Sequence, residues 1–217
     1  ESVPGNLKVL RHRRAVRAVA RRIDSAINLS LNALREGRVE QEPAMTDRML
    51  GAIEQKVQGD ICGIKWSAKT LTDRGTGSQE SEFGADFMGV LQIDLPDYKV
   101  SKGFLAQAKM SNRSSKSDLA GVKRQCEKML KFSPESFVFI YDKNGVRVVP
   151  AIGILATEFG MSGLYSRPAR RFFEEHLECF IGDRRISCPS PNSLDNLRHE
   201  YQARSALLLI GSENTDV

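Results

Sequence analysis

The chain is poor in the residues that most often advertise a site. Only four of its 217 residues are cysteine, three are histidine and one is tryptophan, and aromatic residues make up 7%. Cys62, Cys126, Cys179 and Cys188 contain no C-x-x-C pair and no regular spacing, which excludes a disulfide framework and a zinc knuckle and suits a reducing cytoplasm. His12, His176 and His199 fall on three separate predicted helices without ligand spacing, so no catalytic role is assigned to them. The longest apolar runs, 137–141 and 206–210, fall far short of the roughly 18 residues a membrane-spanning helix needs, so no membrane partner is expected. Gly75, Gly77 and Gly84 are not followed by G-K-[ST], which rules out a phosphate loop of that type. The first residue is Glu1, with neither Met nor an apolar leader, and the expectation is a chain cut from something longer. Acid is also in short supply: 27 Asp and Glu against 32 Lys and Arg leave a formal charge of +5, a bias toward polyanions.

What is present is enough apolar residue, 41%, for a real core, arranged in readable periods. Residues 7–35 carry Val16, Val19, Ile23, Ile27, Leu31 and Leu34 at helical spacing, and Gly37 supplies the stop. Arg11, Arg14, Arg17, Arg21 and Arg22 fall on the opposite face, with Arg13 at its margin. Such a face reads as solvated or as a phosphate contact; its single sign favours contact, Asp24 and Glu36 being the helix's only acids. An acidic, proline-bearing connector over 39–44 leads to a second helix over 46–58, capped by Thr46 or Asp47. Strands follow at 61–71, 85–94 and 102–110, read as an antiparallel meander, then a helix over 118–130 and strands at 137–141 and 146–149. Beyond Pro150 the pattern gives a short helix near 154–159, one opened by Pro168 and running to 181, and a last one over 193–209. The helix after the third strand must return the next strand parallel to an earlier one, so the predicted class is α/β with a mixed sheet flanked by helices.

One constellation asks for chemistry. If the turn of the second hairpin centres near residues 96–98, residues whose numbers sum to about 193–195 stand opposite, which sets Asp86 against the stretch 107–109. Alternation puts Leu105, Gln107 and Lys109 on one face. A polar pair inside an otherwise apolar strand costs desolvation unless it has partners.

"GADF" at 84–87, followed across a hairpin by "QAK" at 107–109, resembles the PD-(D/E)XK restriction-endonuclease-like superfamily, in the Q-x-K variant of Mrr-type nucleases and nuclease domains of anti-phage effectors. The likeness covers about residues 46–141 and includes the αβββαβ order; Gln107 replaces the usual acid of the third strand and Ala85 the usual proline. The resemblance implies that Asp86 binds Mg²⁺ or Mn²⁺, that the Gln107 side chain and Ala108 carbonyl complete the protein contacts, and that Lys109 orients or deprotonates the attacking water. It also implies a glutamate on the preceding helix, for which Glu54 is the candidate, with Glu80 and Glu82 next. Gln125, four residues before Met129, resembles a glutamine element on the helix after the third strand, an ordinary boundary glutamine being the other reading. Arg113, Lys116, Lys123, Arg124 and Lys128 make that region basic enough to hold phosphates.

The expected organisation is an N-terminal basic helix and connector over 1–42, a nuclease core over 43–150 and a C-terminal helical extension over 151–217. The expected function is a metal-dependent nuclease acting on DNA, with RNA left open, as an effector domain of a bacterial restriction or anti-phage system. Partners would be nucleic acid and either further copies of the chain or a subunit of a defence complex. The alternatives are a catalytically inactive nucleic-acid-binding module and an oligomerising interaction domain on the same fold.

Overall fold

The computed structural model describes residues 5–39, 41–72, 84–111, 116–158, 161 and 163–213, with the side chains of 5–11 and 116–118 left aside. In chain order the elements are α1 (Gly5–Arg35), α2 (Glu42–Lys56), β1 (Gly59–Ile61), β2 (Ile64–Thr72), β3 (Ala85–Leu95), β4 (Tyr98–Met110), α3 (Lys116–Phe132), β5 (Ser136–Asp142), β6 (Gly145–Pro150), α4 (Ala151–Ala156), β7 (Arg167–Pro168), α5 (Ala169–Leu177), α6 (Leu194–Glu200) and β8 (Ala203–Glu213). The strands form one mixed sheet in the order β1-β2-β8-β3-β4-β5-β6-β7. The class is α/β, as expected, a mixed sheet flanked by helices, with α1 at the N-terminal end and α4, α5 and α6 between the later strands. No helix among the described residues is long and apolar enough to cross a membrane.

Strand alternation divides the core in two. Phe87, Leu91 and Ile93 of β3, with Ala106, Ala108 and Met110 of β4, face the layer of α1, α2 and α5. Met88 and Val90, with Leu105, Val138 and Ile140, face the layer of α3, α4 and α6. Phe104 anchors the first layer against Phe87, Phe137, Phe139, Phe172 and Phe173. Its partner across the ladder is Gly89, where a Cβ would lie 2.3 Å from the Phe104 ring, so the aromatic cluster requires glycine there.

Two sequence expectations are corrected. The span 193–209, read as one helix, contains only α6; the chain turns through Gln202 at φ +50° and continues as β8. Ala206, Leu207, Leu208 and Leu209 are 0–1% exposed, and a strand covered on both faces is a continuous apolar run whose period cannot be told from that of a buried helix. The predicted meander is also interrupted. β8 lies between β2 and β3, antiparallel to the first and parallel to the second, so of the predicted meander only the β3–β4 hairpin remains. The crossover through α3 does return β5 parallel to β4.

Candidate active site

The site lies where the β3–β4 ladder stops. Paired residues sum to 193, the last pair being Phe87 and Ala106, so the next residues, Asp86 and Gln107, face each other where the strands begin to part. Leu105 donates its N–H to the Glu135 carbonyl on the β5 side, so Ala108 and Met110, at odd offsets from it, direct their backbone groups to the other edge, into the fork. Two carboxylates fill the positions a strand would have taken. Asp86 Oδ2 accepts the Ala108 N–H at 2.7 Å and the Gln107 side-chain amide. Glu42 Oε1 accepts the Met110 N–H at 3.1 Å. Its other oxygen lies 3.7 Å from Lys109 Nζ, with the two side chains only 18% and 15% exposed. Lys109 reaches it from the face it shares with Gln107, while Glu42 belongs to the α2 layer, so the fork joins the two sides of the sheet.

Burial pushes the Asp86 carboxyl up to about 6; the Ala108 N–H and the charges of Lys109 and Arg204 oppose this, and Glu42 adds to it. A desolvated carboxylate beside a second carboxylate, with the Ala108 carbonyl on the same edge, is a hard-oxygen donor set short of positive charge. It fits Mg²⁺ or Mn²⁺. Among the described residues no group of three or more Asp, Glu, His or Cys side chains gathers, so such an ion would rest on two carboxylates and neutral oxygens.

The α2 carboxylate at the fork is Glu42, and the expectation that Glu54 lies there is corrected. Glu54 accepts the Thr70 N–H at 3.1 Å and the Thr70 hydroxyl at 2.5 Å, on β2, two strands from β3. Twelve residues at about 1.5 Å each put it roughly 18 Å along α2 from Glu42. Glu42 escaped the sequence reading because 39–44 looked like a connector, whereas Glu42 and Pro43 form the first turn of α2, where proline costs no hydrogen bond. Glu80, Glu82 and Arg113 lie outside the described residues, as does the Lys116 side chain.

α3 flanks Lys109: burial pushes the inward-facing Cys126 thiol up to about 12, and the charge of Lys109 opposes this. Gln125 is half-buried beside it and Arg124 is exposed, while Lys123 donates to the Thr157 carbonyl after α4. Arg14, Arg17 and Arg21 are exposed on α1, whereas Arg22 donates to the carbonyls of Lys56 and Gln58 and so caps the end of α2. The far end of α1 is fixed near the site, Arg35 donating to the Lys143 carbonyl in the turn after β5. At about 1.5 Å per residue, Arg21 and Arg14 lie roughly 21 and 31 Å further along the helix axis. They are a helix length from Asp86 rather than beside it.

No protein-family model matches the chain, and no curated protein or solved structure is significantly similar to it.

The Gln107 amide against Asp86 suggests a direct test of the charge deficit. Gln107→Glu sets two carboxylates opposite each other in a desolvated fork. It is expected to tighten Mn²⁺ binding in a calorimetric titration while lowering metal-free stability at pH 8 by about 2 kcal/mol. Weaker Mn²⁺ binding would contradict a cation site at this position.

Proposed function

We propose that the chain is a divalent-metal-dependent nuclease that hydrolyses phosphodiester bonds of DNA. The observation that carries this reading is the fork between β3 and β4, where Asp86, Glu42 and Lys109 converge from three elements and both faces of the sheet. Asp86 and Glu42 would hold Mg²⁺ or Mn²⁺, with the Ala108 carbonyl and Gln107 as neutral neighbours. A bound cation of this kind polarises a phosphodiester and lowers the pKa of its water. Lys109, held by Glu42, orients the attacking water by hydrogen bonding and offsets charge on the phosphate. The Gln107 amide would fix the Asp86 carboxylate through Oδ2, and Oδ1 would be the oxygen offered to the cation. The resemblance of "GADF" and "QAK" to restriction-endonuclease-like enzymes supports the same reaction and suggests the setting, an effector of a cytoplasmic restriction or anti-phage system. Cleavage of supercoiled plasmid that requires Mg²⁺ or Mn²⁺ and disappears in Lys109→Ala tests it.

A second reading, a nucleic-acid-binding module without catalysis, is favoured by the absence of a third acidic, His or Cys ligand among the described residues. It predicts binding of the same DNA with no cleavage under any divalent ion.

DNA affinity would come from the basic helices. Arg14, Arg17 and Arg21 carry charge but no metal ligand or base, so changing all three to Gln should leave turnover at saturating DNA intact. Binding to unrelated sequences should weaken about equally, and the slope of log affinity against log salt should flatten by about one unit per lost contact. An unchanged slope would assign the DNA path to α3 and Arg124.

A further inference from the structure

We infer that Arg204 is a positioning residue for this site: delivered by the C-terminal strand, it straps the first turn of α2 to the sheet and so holds the Glu42 carboxylate over the fork. The inference rests on the nuclease reading for its functional meaning but not for its geometry.

The first turn of α2 has little of its own to hold it in place. Its N-cap is Gln41, which makes no side-chain capping bond, and Pro43 contributes no N–H. Two tertiary clamps act instead, one on each side of the fork. On the β5 side, Thr46 Oγ1 donates to the Glu42 carbonyl at 2.9 Å and accepts the Tyr141 hydroxyl at 3.1 Å, which ties the helix to the sheet. On the β8 side, Arg204 Nη2 donates to the Pro43 carbonyl at 3.2 Å and to Asp47 Oδ1 at 3.1 Å, with the Ser205 hydroxyl 3.5 Å from the same oxygen. The sheet order β8-β3-β4-β5 puts the β3–β4 fork between these clamps, and Glu42, adjacent to Pro43, is the residue suspended across it.

Register fixes why the strap comes from residue 204. The pairs Ala85 with Ala203 and Phe87 with Ser205 bracket Asp86 and Arg204 as neighbours on adjacent strands. The guanidinium therefore reaches the helix from beside Asp86, close enough for its charge to act on that carboxylate. Its side chain is 17% exposed, and Nη2 is committed to two acceptors while Nε is buried without a partner among the described residues. That is the arrangement of a strap, with a charge-assisted bond at Asp47 and a neutral one at Pro43. The C-terminal strand thus belongs to the site, although the residues resembling a nuclease all lie before residue 142.

The test reads Glu42 directly, through the Met110 amide that its carboxylate accepts. In the full chain, Arg204→Met should raise hydrogen exchange at the Met110 amide by about tenfold or more, with Arg204→Lys intermediate because the ammonium keeps the charge for Asp47 on a shorter side chain. Amides at the centre of β4, such as that of Leu105, should keep their protection. Asp47→Asn removes the charged acceptor without touching β8 and should loosen Met110 in the same direction; it carries the test if Arg204→Met does not fold. In the cleavage assay the strap predicts a fall in kcat of about tenfold with KM little changed, since what is lost is the placement of Glu42. Unchanged Met110 exchange in both variants overturns the inference, as does a raised KM at unaltered kcat, which would make Arg204 a phosphate contact. If the wild type cleaves nothing but Met110 responds as stated, the nuclease reading fails and the positioning role stands.

Discussion

Asp86→Asn is expected to abolish metal-dependent cleavage and, at the same time, to make the metal-free protein more stable at pH 8 by about 2 kcal/mol. The two effects have one cause. In the folded protein the Asp86 carboxyl is pushed from its ordinary value near 3.8 up to about 6, because burial outweighs the help of the Ala108 N–H, Lys109 and Arg204. The native state therefore holds this proton more tightly than the unfolded chain does. Stability from this group is intact below about pH 3.8, is lost progressively as pH rises through about 6, and is level above that. Asparagine keeps an oxygen that can accept both the Ala108 N–H and the Gln107 amide, yet carries no charge to desolvate. It should erase the decline between pH 4 and 6 in a series of denaturation curves. A divalent ion would supply the missing positive charge, so Mg²⁺ at pH 8 should raise the melting temperature of the wild type and leave that of Asp86→Asn unchanged. Cleavage surviving in the variant, or a variant less stable than wild type at pH 8, would remove Asp86 from the centre of the site.

The hairpin was the most legible part of the site, for a simple reason: a short turn fixes the register of both its strands. Counting from a turn centred near 96–98 sets Asp86 opposite the 107–109 stretch, and the observed sum of 193 lies within the expected range of 193–195. Strand parity likewise put Gln107 and Lys109 on one face. What failed were inferences that needed an element boundary or a tertiary partner. Thr46 and Asp47 are good capping residues by type, and they drew the predicted start of α2 four residues too late. In the structure both side chains point to the sheet, to Tyr141 and Arg204, and the true first turn carries Glu42. Glu54 had the right helix but the wrong end of it. Arg204 left no local signal at all, because its importance depends on which strand lies beside β3.

Removing or breaking β8 is expected to have the largest effect on folding. The segment 43–150 holds the residues that resemble a nuclease, but expressed alone it should not unfold cooperatively, because β8 carries the hydrogen bonds that join β2 to β3. Without it, β3 loses one full edge of backbone partners and β2 is cut off from the rest of the sheet, exposing polar groups that are costly to bury unpaired. Each core layer also loses its share of the strand: Leu207 and Leu209 on the α1–α2 side, Ala206 and Leu208 on the α3 side. In the full chain, Leu208→Ala should cost about 2–5 kcal/mol, the range for a leucine truncated in a closed core, and should lower cleavage only as far as it lowers the folded fraction. Denaturant titrations of the variant and circular dichroism of the 43–150 fragment check both statements. A fragment with a sharp, reversible melting transition would show that β2 and β3 can pair directly, and that β8 is an addition to the sheet rather than its centre. An unfolded fragment would mean that the fork, although its nuclease-like residues are encoded in the middle of the chain, is completed only when the elements outside 43–150, β8 with α1 and α5, have packed onto it.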